Sequence, residues 1–280
     1  MLMPFIKMPV SKTIQTTASV MLFDSDPLVV STTEACLHKS DLKTLKKEEW
    51  LGDNVLAFHA EWLQALGNGT SRNVKMFPPS VVEVLCTLES AAAPDTASVV
   101  PRPTERFLLL PVSDRYSPSS PGHTAAGSHW SLLLVDAASG LAFHLDSLGD
   151  CNRSAAKAVQ SSILKLVRPA SSHHASPPVP VKVDCLQQQE NGSDCGIYVL
   201  LLSSLLHLWL NKPQAPSYDL AQVVQAVCTD ATPSKVGHFR KAYKGWLKSW
   251  GKATHHQEHV DPTRKVKVDF LHLFSEIGVE

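Results

Sequence analysis

The segment GIYVLLLSSLLHLWL, Gly196 to Leu210, is apolar nearly all the way round. A helix with no polar face belongs in the middle of a fold, because any surface position leaves apolar side chains in water. The rest of the chain must therefore be arranged around it. No apolar run approaches the roughly 18 residues that a membrane helix needs. What precedes the segment is polar. QQQENGSD, Gln187 to Asp194, delivers Cys195 at the point where loop becomes helix. That cysteine is either one more small core residue or a reactive group held at a helix mouth.

The remaining sequence sets the bounds. The chain has 280 residues, 44% of them hydrophobic, enough for one large domain or two small ones with a sizeable core. Formal net charge is zero, so there is no whole-chain attraction to nucleic acid or to an acidic surface. Six cysteines, at positions 36, 86, 151, 185, 195 and 228, are scattered without paired metal-ligand spacing. With no secretory apolar region ahead of them, they are expected to be free thiols in the cytosol or nucleus. Lys7 and Lys12 precede the first acid, Asp24, but the stretch has no arginine and little helical amphipathicity. A flexible tail over 1–22 is expected there, rather than an organellar transit segment.

From Asp41 to Leu66 the pattern turns helical, with Leu51, Val55, Phe58 and Trp62 on one face and Asp53 placed to cap it. RFLLLPV (106–112) is a nearly uninterrupted apolar run, the mark of a buried strand. HWSLLLVD (129–136) and LAFHLDS (141–147) are strand-like and joined by AASG, a hairpin signal. A short strand is expected in VKVDCL (181–186). Stretches 90–105, 113–128 and 169–180 are rich in Pro, Ser and small residues and read as loops. Near the C-terminus, Val236, Phe239, Tyr243, Trp246 and Trp250 form one face of a helix. Lys235, Arg240, Lys241, Lys244 and Lys248 form the other, a solvated basic face. These elements suggest one α+β domain over 23–252 with loop insertions, followed by an extension over 253–280.

A cysteine in the first turn of the buried helix meets about half a positive charge from the helix dipole, which favours a thiolate. Asp194 or Ser193 can cap that helix, and Gly192 can turn the chain tightly. Such a nucleophile needs a base, and the base needs an orienting group. The hairpin supplies both. If AASG is a four-residue loop, Asp136 pairs with Leu141, Ser131 with Asp146, and His129 with Leu148. His129 and Asp146 are then diagonal neighbours on one face, about 7–8 Å apart between backbones. A one-residue slip destroys the arrangement. Asp146 would fix the imidazole tautomer and stabilise its charged form. The Cys195 N–H and the side-chain amide of Gln189 are candidate donors to an oxyanion.

Each of these residues has a plainer explanation. A lone cysteine before an apolar helix is more often packing than chemistry. A histidine in a strand is usually structural. His144 shares the alternating face of Asp146 with nothing marking it as catalytic. Only the combination His129, Asp146, Gln189, Cys195 raises the odds of chemistry. A silent binding module has no use for the acid behind the histidine. A zinc site at His255, His256 and His259 lacks cysteine partners, so no metal is expected.

Taken together, LLLPVSD, GSHWSLLLVD, FHLDS and QQQENGSDCGIYV resemble the successive motifs of the sentrin/SUMO-specific, Ulp-type cysteine proteases. The 17-residue step from His129 to Asp146 and the six-residue step from Gln189 to Cys195 agree with that family. WLGDNVLAF, from Trp50, resembles its WLND helix start, and the similarity spans about Ser31 to Trp250. The PV-x-D before a loop and HWS, and the glutamine run before the cysteine loop, resemble the deneddylase branch. Three positions depart from the pattern: Gly52 for Asn, Ser193 for an aromatic, and Leu145 for Tyr or Phe.

The resemblance implies a papain-like α+β fold, with a central helix carrying Cys195 packed on a mixed sheet carrying His129 and Asp146. It implies hydrolysis after the Gly-Gly end of a ubiquitin-like modifier, the RUB/NEDD type before SUMO, with those modifiers and their conjugates as partners. It implies no cofactor, no nucleic acid, no membrane, and a monomer. Trp50 and Trp130 match the tryptophans flanking the family's substrate tunnel, and Asp53 ends the motif beside them. One tension stands. Strict alternation puts Trp130 on the strand face opposite His129, so the strand start must be irregular or the tunnel must wrap its edge.

Overall fold

The computed structural model describes residues 26–66, 73–87, 101, 104–117, 127–168, 179–212 and 219–255, the last five only as backbone. The tail expected at 1–22 lies outside them. The elements, in chain order, are β1 (Leu28–Ser31), β2 (Cys36–His38), α1 (Lys39–Thr44), α2 (Asp53–Leu66), β3 (Val74–Met76), α3 (Pro79–Thr87), β4 (Phe107–Ser113), β5 (Trp130–Asp136), β6 (Ala142–Leu145), α4 (Arg153–Val167), β7 (Val181–Lys182), α5 (Cys195–Leu210), α6 (Leu220–Asp230) and α7 (Pro233–His255). β1 and β2 form a separate antiparallel pair. The main sheet runs β3-β4-β5-β6-β7, with antiparallel pairing at its centre and a parallel strand added at each edge. It is a mixed sheet between two helical layers, an α+β fold.

The apolar runs become the two central strands. Every residue of β4 and β5 is buried, because helices cover both faces. Leu109, Leu132, Leu134, Phe143 and Leu145 share one core with α2, α5, α6 and α7. Leu108, Leu110, Leu133, Val135 and Ala142 share the other with α3 and α4. α5 is buried along its length except at Leu208 and Trp209. A helix without a polar face can rest only between a sheet and other helices. On its outer side α2 and α7 close over it through an aromatic cluster. Trp62 and Trp246 stand 4.6 Å apart between ring centres, and Phe58 meets Trp250 edge-on at 5.6 Å.

Some expectations change. The short strand expected over VKVDCL is two residues long, because its chain turns at Asp184. α7 runs through His255, past the boundary expected at 253. Of the zinc candidates, His256 and His259 lie outside the described residues. Among the described residues, no cluster of acids, cysteines and histidines could hold a metal, and no helix is long and apolar enough to cross a membrane. All six cysteines are free. On the basic face of α7, Lys241 and Lys248 are exposed as expected, but Arg240 is buried.

Two buried histidines bear on stability. His59 lies between Tyr243 Oη (3.2 Å from Nδ1) and the hydroxyls of Ser203 and Ser204 (3.1 and 3.2 Å from Nε2). Burial pushes it down to about 3, and pushes His207 on α5 down to about 4. Both folded values lie below that of a free histidine, so the unfolded chain takes up protons first as pH falls. The fold should therefore lose stability below about pH 6.5, by about 2 kcal/mol per histidine at pH 5. Urea denaturation at pH 7.5 and pH 5, compared between wild type and His59→Gln, measures the share of His59; an equal change with pH in both chains would mean that His59 is not held neutral.

Candidate active site

The hairpin turn sets the geometry. Gly140 adopts φ +77°, which L side chains rarely do, and its N–H donates to the Asp136 carbonyl at 2.7 Å. The Asp136 carboxylate accepts from the Ala138 N–H (3.1 Å), the Ser139 hydroxyl (2.9 Å) and, through both oxygens, Arg106 (2.9 and 2.8 Å). The register that follows pairs Leu132 with Leu145 and Val135 with Ala142, and Asp136 N–H donates to the Leu141 carbonyl. This is the pairing the four-residue loop predicts. It brings His129 and Asp146 together at the open end of the hairpin, with Nε2 of the ring 2.6 Å from Oδ1.

The tension over Trp130 resolves at the same place. β5 begins at Trp130, so His129 lies just ahead of the strand and alternation does not bind it. Its backbone is held from two sides. Its N–H donates to Asp114 Oδ1 at 3.4 Å, and its carbonyl accepts from Asn152 Nδ2 at 3.3 Å. Asp114 also receives the Ser128 N–H at 2.8 Å. The aspartate of PV-x-D thus fastens the far end of its own loop beside the histidine.

Behind the pair, Asp146 is walled in. Oδ1 accepts the Leu148 N–H at 2.9 Å, and Oδ2 accepts the Asn152 N–H at 3.0 Å, at the mouth of α4. Burial raises its carboxyl, but the His129 hydrogen bond and the backbone N–H groups outweigh this and hold it below the usual carboxylate range. His129 shows the reverse balance. Burial lowers it, while the hydrogen bond to Asp146 and the nearby Asp146 carboxylate and Cys195 sulfur carry it up to about 9. With Nε2 spent on Asp146, Nδ1 is the ring nitrogen left for the sulfur. His144 is turned away: Nδ1 meets Asp150 Oδ1 at 2.8 Å and Nε2 meets Ser131 Oγ at 2.9 Å. It buttresses the floor behind Asp146, 4.0 Å from Oδ2.

Cys195 opens α5 and is buried with Trp130 and Leu51 in one core. By helix geometry its N–H has no intrahelical partner and points out of the helix mouth. The capping expectation is not met. Asp194 stands at the cap position without capping, because its carboxylate is taken by Arg240 and by Asn191 Nδ2 (2.7 Å). Asn191 Oδ1 instead receives the N–H groups of Ser193 and Asp194, both at 2.9 Å. Gly192 needs no left-handed conformation, so the turn rests on Asn191.

Gln189 is placed beside the hairpin end. Its N–H donates to the Ser147 carbonyl (2.9 Å), and its Oε1 accepts from the Ser147 hydroxyl (2.8 Å). Its Nε2 donates to the Asn191 carbonyl at 2.6 Å, which leaves one amide hydrogen uncommitted. Gln188 Oε1 receives the Gly149 N–H at 2.6 Å and fastens the same loop. Trp50 is 54% exposed, while Trp130 is buried and its indole N–H donates to the Leu51 carbonyl at 3.2 Å. The two tryptophans are therefore joined through Leu51. Asp53 is the first residue of α2, not the residue ahead of it. Its carboxylate accepts from Arg115 Nη2 at 2.6 Å, and that guanidinium lies over the Trp130 ring.

Asn152, Arg115 and Asn191 carry much of this geometry and were not singled out from sequence. Each belongs to a polar stretch whose composition matches any loop.

A family model for the Ulp1 protease family, C-terminal catalytic domain, matches residues 120–224. A Dictyostelium discoideum protein named probable sentrin-specific protease 8 is 30% identical over 201 residues, covering 67% of this chain and 79% of its own length. Arabidopsis thaliana NEDD8-specific protease 1 is 24% identical over 226 residues, 80% of this chain and 93% of its own. Among solved structures, the yeast Ulp1 protease domain in complex with Smt3 superposes with a TM-score of 0.55 at 17% identity, covering 81% and 89% of the two chains, which establishes likeness of fold.

The raised value of His129 is directly measurable. It contributes stability below pH 6.5 that is lost as pH rises toward 9. Its imidazole should titrate near 9 by NMR, and Asp146→Asn should move the midpoint toward the ordinary 6.5 of histidine. A midpoint unchanged in the variant would assign the shift to the sulfur alone.

Proposed function

The chain belongs to the Ulp1 protease family, and on that footing we propose that it cuts peptide or isopeptide bonds after the Gly-Gly tail of a ubiquitin-like modifier, the RUB/NEDD-type one by preference. The observation that carries the proposal is His129 held between the Asp146 carboxylate and the Cys195 sulfur at a helix mouth. Cys195 passes its thiol proton to His129, its sulfur adds to the Gly carbonyl carbon, and the carbonyl oxygen takes the negative charge. The Cys195 N–H and the uncommitted amide hydrogen of Gln189 are the donors for that oxygen. The intermediate collapses to a thioester, and the imidazolium of His129 gives its proton to the departing amine. A water then adds to the thioester with His129 taking its proton, and the carboxylate and the thiol are released.

Substrate choice rests on a different footing. A Gly-Gly tail is the narrowest end a protein can present, since glycine has no side chain. Exposed Trp50, next in sequence to the Leu51 whose carbonyl holds the buried Trp130 indole, suits such a tail, and Asp53 reaches the Trp130 ring through Arg115. Preference for the RUB/NEDD type is supported by PV-x-D and the glutamine run, and by relatives named NEDD8-specific proteases in Arabidopsis and fission yeast. Six free cysteines suit a reducing compartment, the cytosol or nucleus.

Cys195→Ala should abolish turnover and leave modifier binding intact; a variant within about tenfold of wild type would remove the cysteine from the mechanism. Gln189→Ala should cost about 2.7–4 kcal/mol of barrier, read from kcat. Trp50→Ala should slow every modifier alike. Processing of RUB/NEDD-type, SUMO and ubiquitin precursors, each extended past Gly-Gly, tests the preference. Rapid cleavage of the SUMO precursor with none of the RUB/NEDD-type one would overturn it and leave the chemistry standing.

A further inference from the structure

Arg240 is 4% exposed, and its guanidinium is fully engaged. Nε and Nη2 donate to Asp194 Oδ1 at 3.0 and 2.8 Å, and Nη2 also donates to the Ser193 carbonyl at 2.8 Å. Nη1 donates to the carbonyls of Lys46 (2.7 Å), Glu49 (3.1 Å) and Thr44 (3.3 Å). One planar group from α7 thus ties together two segments that meet nowhere in sequence. The first, Ser193–Asp194, leads directly into Cys195. The second, Thr44–Glu49, leads directly into Trp50 and Leu51.

The segments also touch just beyond the guanidinium. A Cβ added at Gly196 would lie 2.5 Å from Leu51 Cβ, so the backbone after the sulfur is pressed against Leu51. Leu51 in turn accepts the Trp130 indole N–H. Desolvating a guanidinium is costly, and apolar side chains of similar volume often stabilise a fold as well or better. What apolar packing cannot do is fix the relative position of a carboxylate and four carbonyls. A planar fork with five donors can, and a lysine cannot.

We propose that Arg240 is a positioning residue for the hydrolysis. It locks the loop that presents Cys195 against the segment that presents Trp50, and so sets where the sulfur stands relative to the bound Gly-Gly tail. This rests on the protease reading above. Its consequence is specific. Loss of the lock should misplace the nucleophile on a substrate that still binds through its globular body, so kcat should fall while KM holds.

The test compares the full chain as wild type, Arg240→Lys, Arg240→Ala and Val224→Ala, a core change in α6 that controls for lost stability. The substrate is a RUB/NEDD-type modifier with a fluorogenic amide after Gly-Gly. Both Arg240 variants should lose kcat by about tenfold or more, with KM within about threefold, while Val224→Ala keeps kcat within about twofold. A second readout needs no substrate. The His129 titration should shift toward the ordinary histidine value in Arg240→Lys, as the sulfur drifts from the ring, and stay put in Val224→Ala. If Arg240→Ala does not fold, Arg240→Lys decides. Wild-type kcat in a folded Arg240 variant, or an equal loss in Val224→Ala, overturns the proposal. If wild type cleaves no Gly-Gly modifier, the protease reading fails separately, and an unmoved His129 midpoint in Arg240→Lys then overturns the positioning role.

Discussion

The register of the β5–β6 hairpin is the constraint on which the site depends. Side chains along a strand alternate between faces, so a slip of one residue would carry Asp146 away from His129 and bring an apolar or hydroxyl neighbour in its place. The turn that prevents this lies at the other end of the hairpin. The Asp136 carboxylate gathers the Ala138 N–H, the Ser139 hydroxyl and Arg106, and Gly140 supplies the one backbone conformation the loop requires. A change at the turn would therefore be felt at the site through pairing alone, without any contact to it.

The second dependence is burial. α5 has no face that water would stabilise, so the sheet and the outer helices enclose it and its N-terminus emerges beside His129, at the start of β5. The same enclosure sets the electrostatics. Removed from water, His129 and Asp146 would each be driven toward the neutral form. The short hydrogen bond between them, and the backbone N–H groups of Leu148 and Asn152, reverse both tendencies. The charged pair exists because the surroundings were built to hold it, with α4 contributing its first turn to the acid and α5 its first turn to the sulfur.

Polar residues around this centre act on backbone more than on one another. Asp114 holds the segment entering His129, Asn152 holds the carbonyl leaving it, and Asn191 shapes the turn before Cys195. Arg240 does the same on a larger scale by fastening two loops through four carbonyls and a carboxylate. Such residues leave the chemistry to others and define the frame in which it occurs.

By itself, the sequence determined the buried helix, the two central strands, the hairpin with its register, and the order His129, Asp146, Gln189, Cys195. These follow from apolar periodicity, loop length and turn chemistry, which act between near neighbours and are written in consecutive residues. The small β1–β2 pair, β3 and α3 were not legible, because each is short and forms by packing on the rest of the fold, whereas α4 went unread although Ala155, Ala156, Val159, Ile163 and Leu164 recur at helical spacing. The place of Arg240 could be decided only by tertiary structure. Counted along α7 it falls among lysines on a polar face, and by local pattern it belongs in water. It is buried because folding brings the loops of Ser193 and Lys46, distant in sequence, to the same point. A guanidinium is the group that can satisfy the carbonyls both loops leave there, and no pattern within α7 encodes that need.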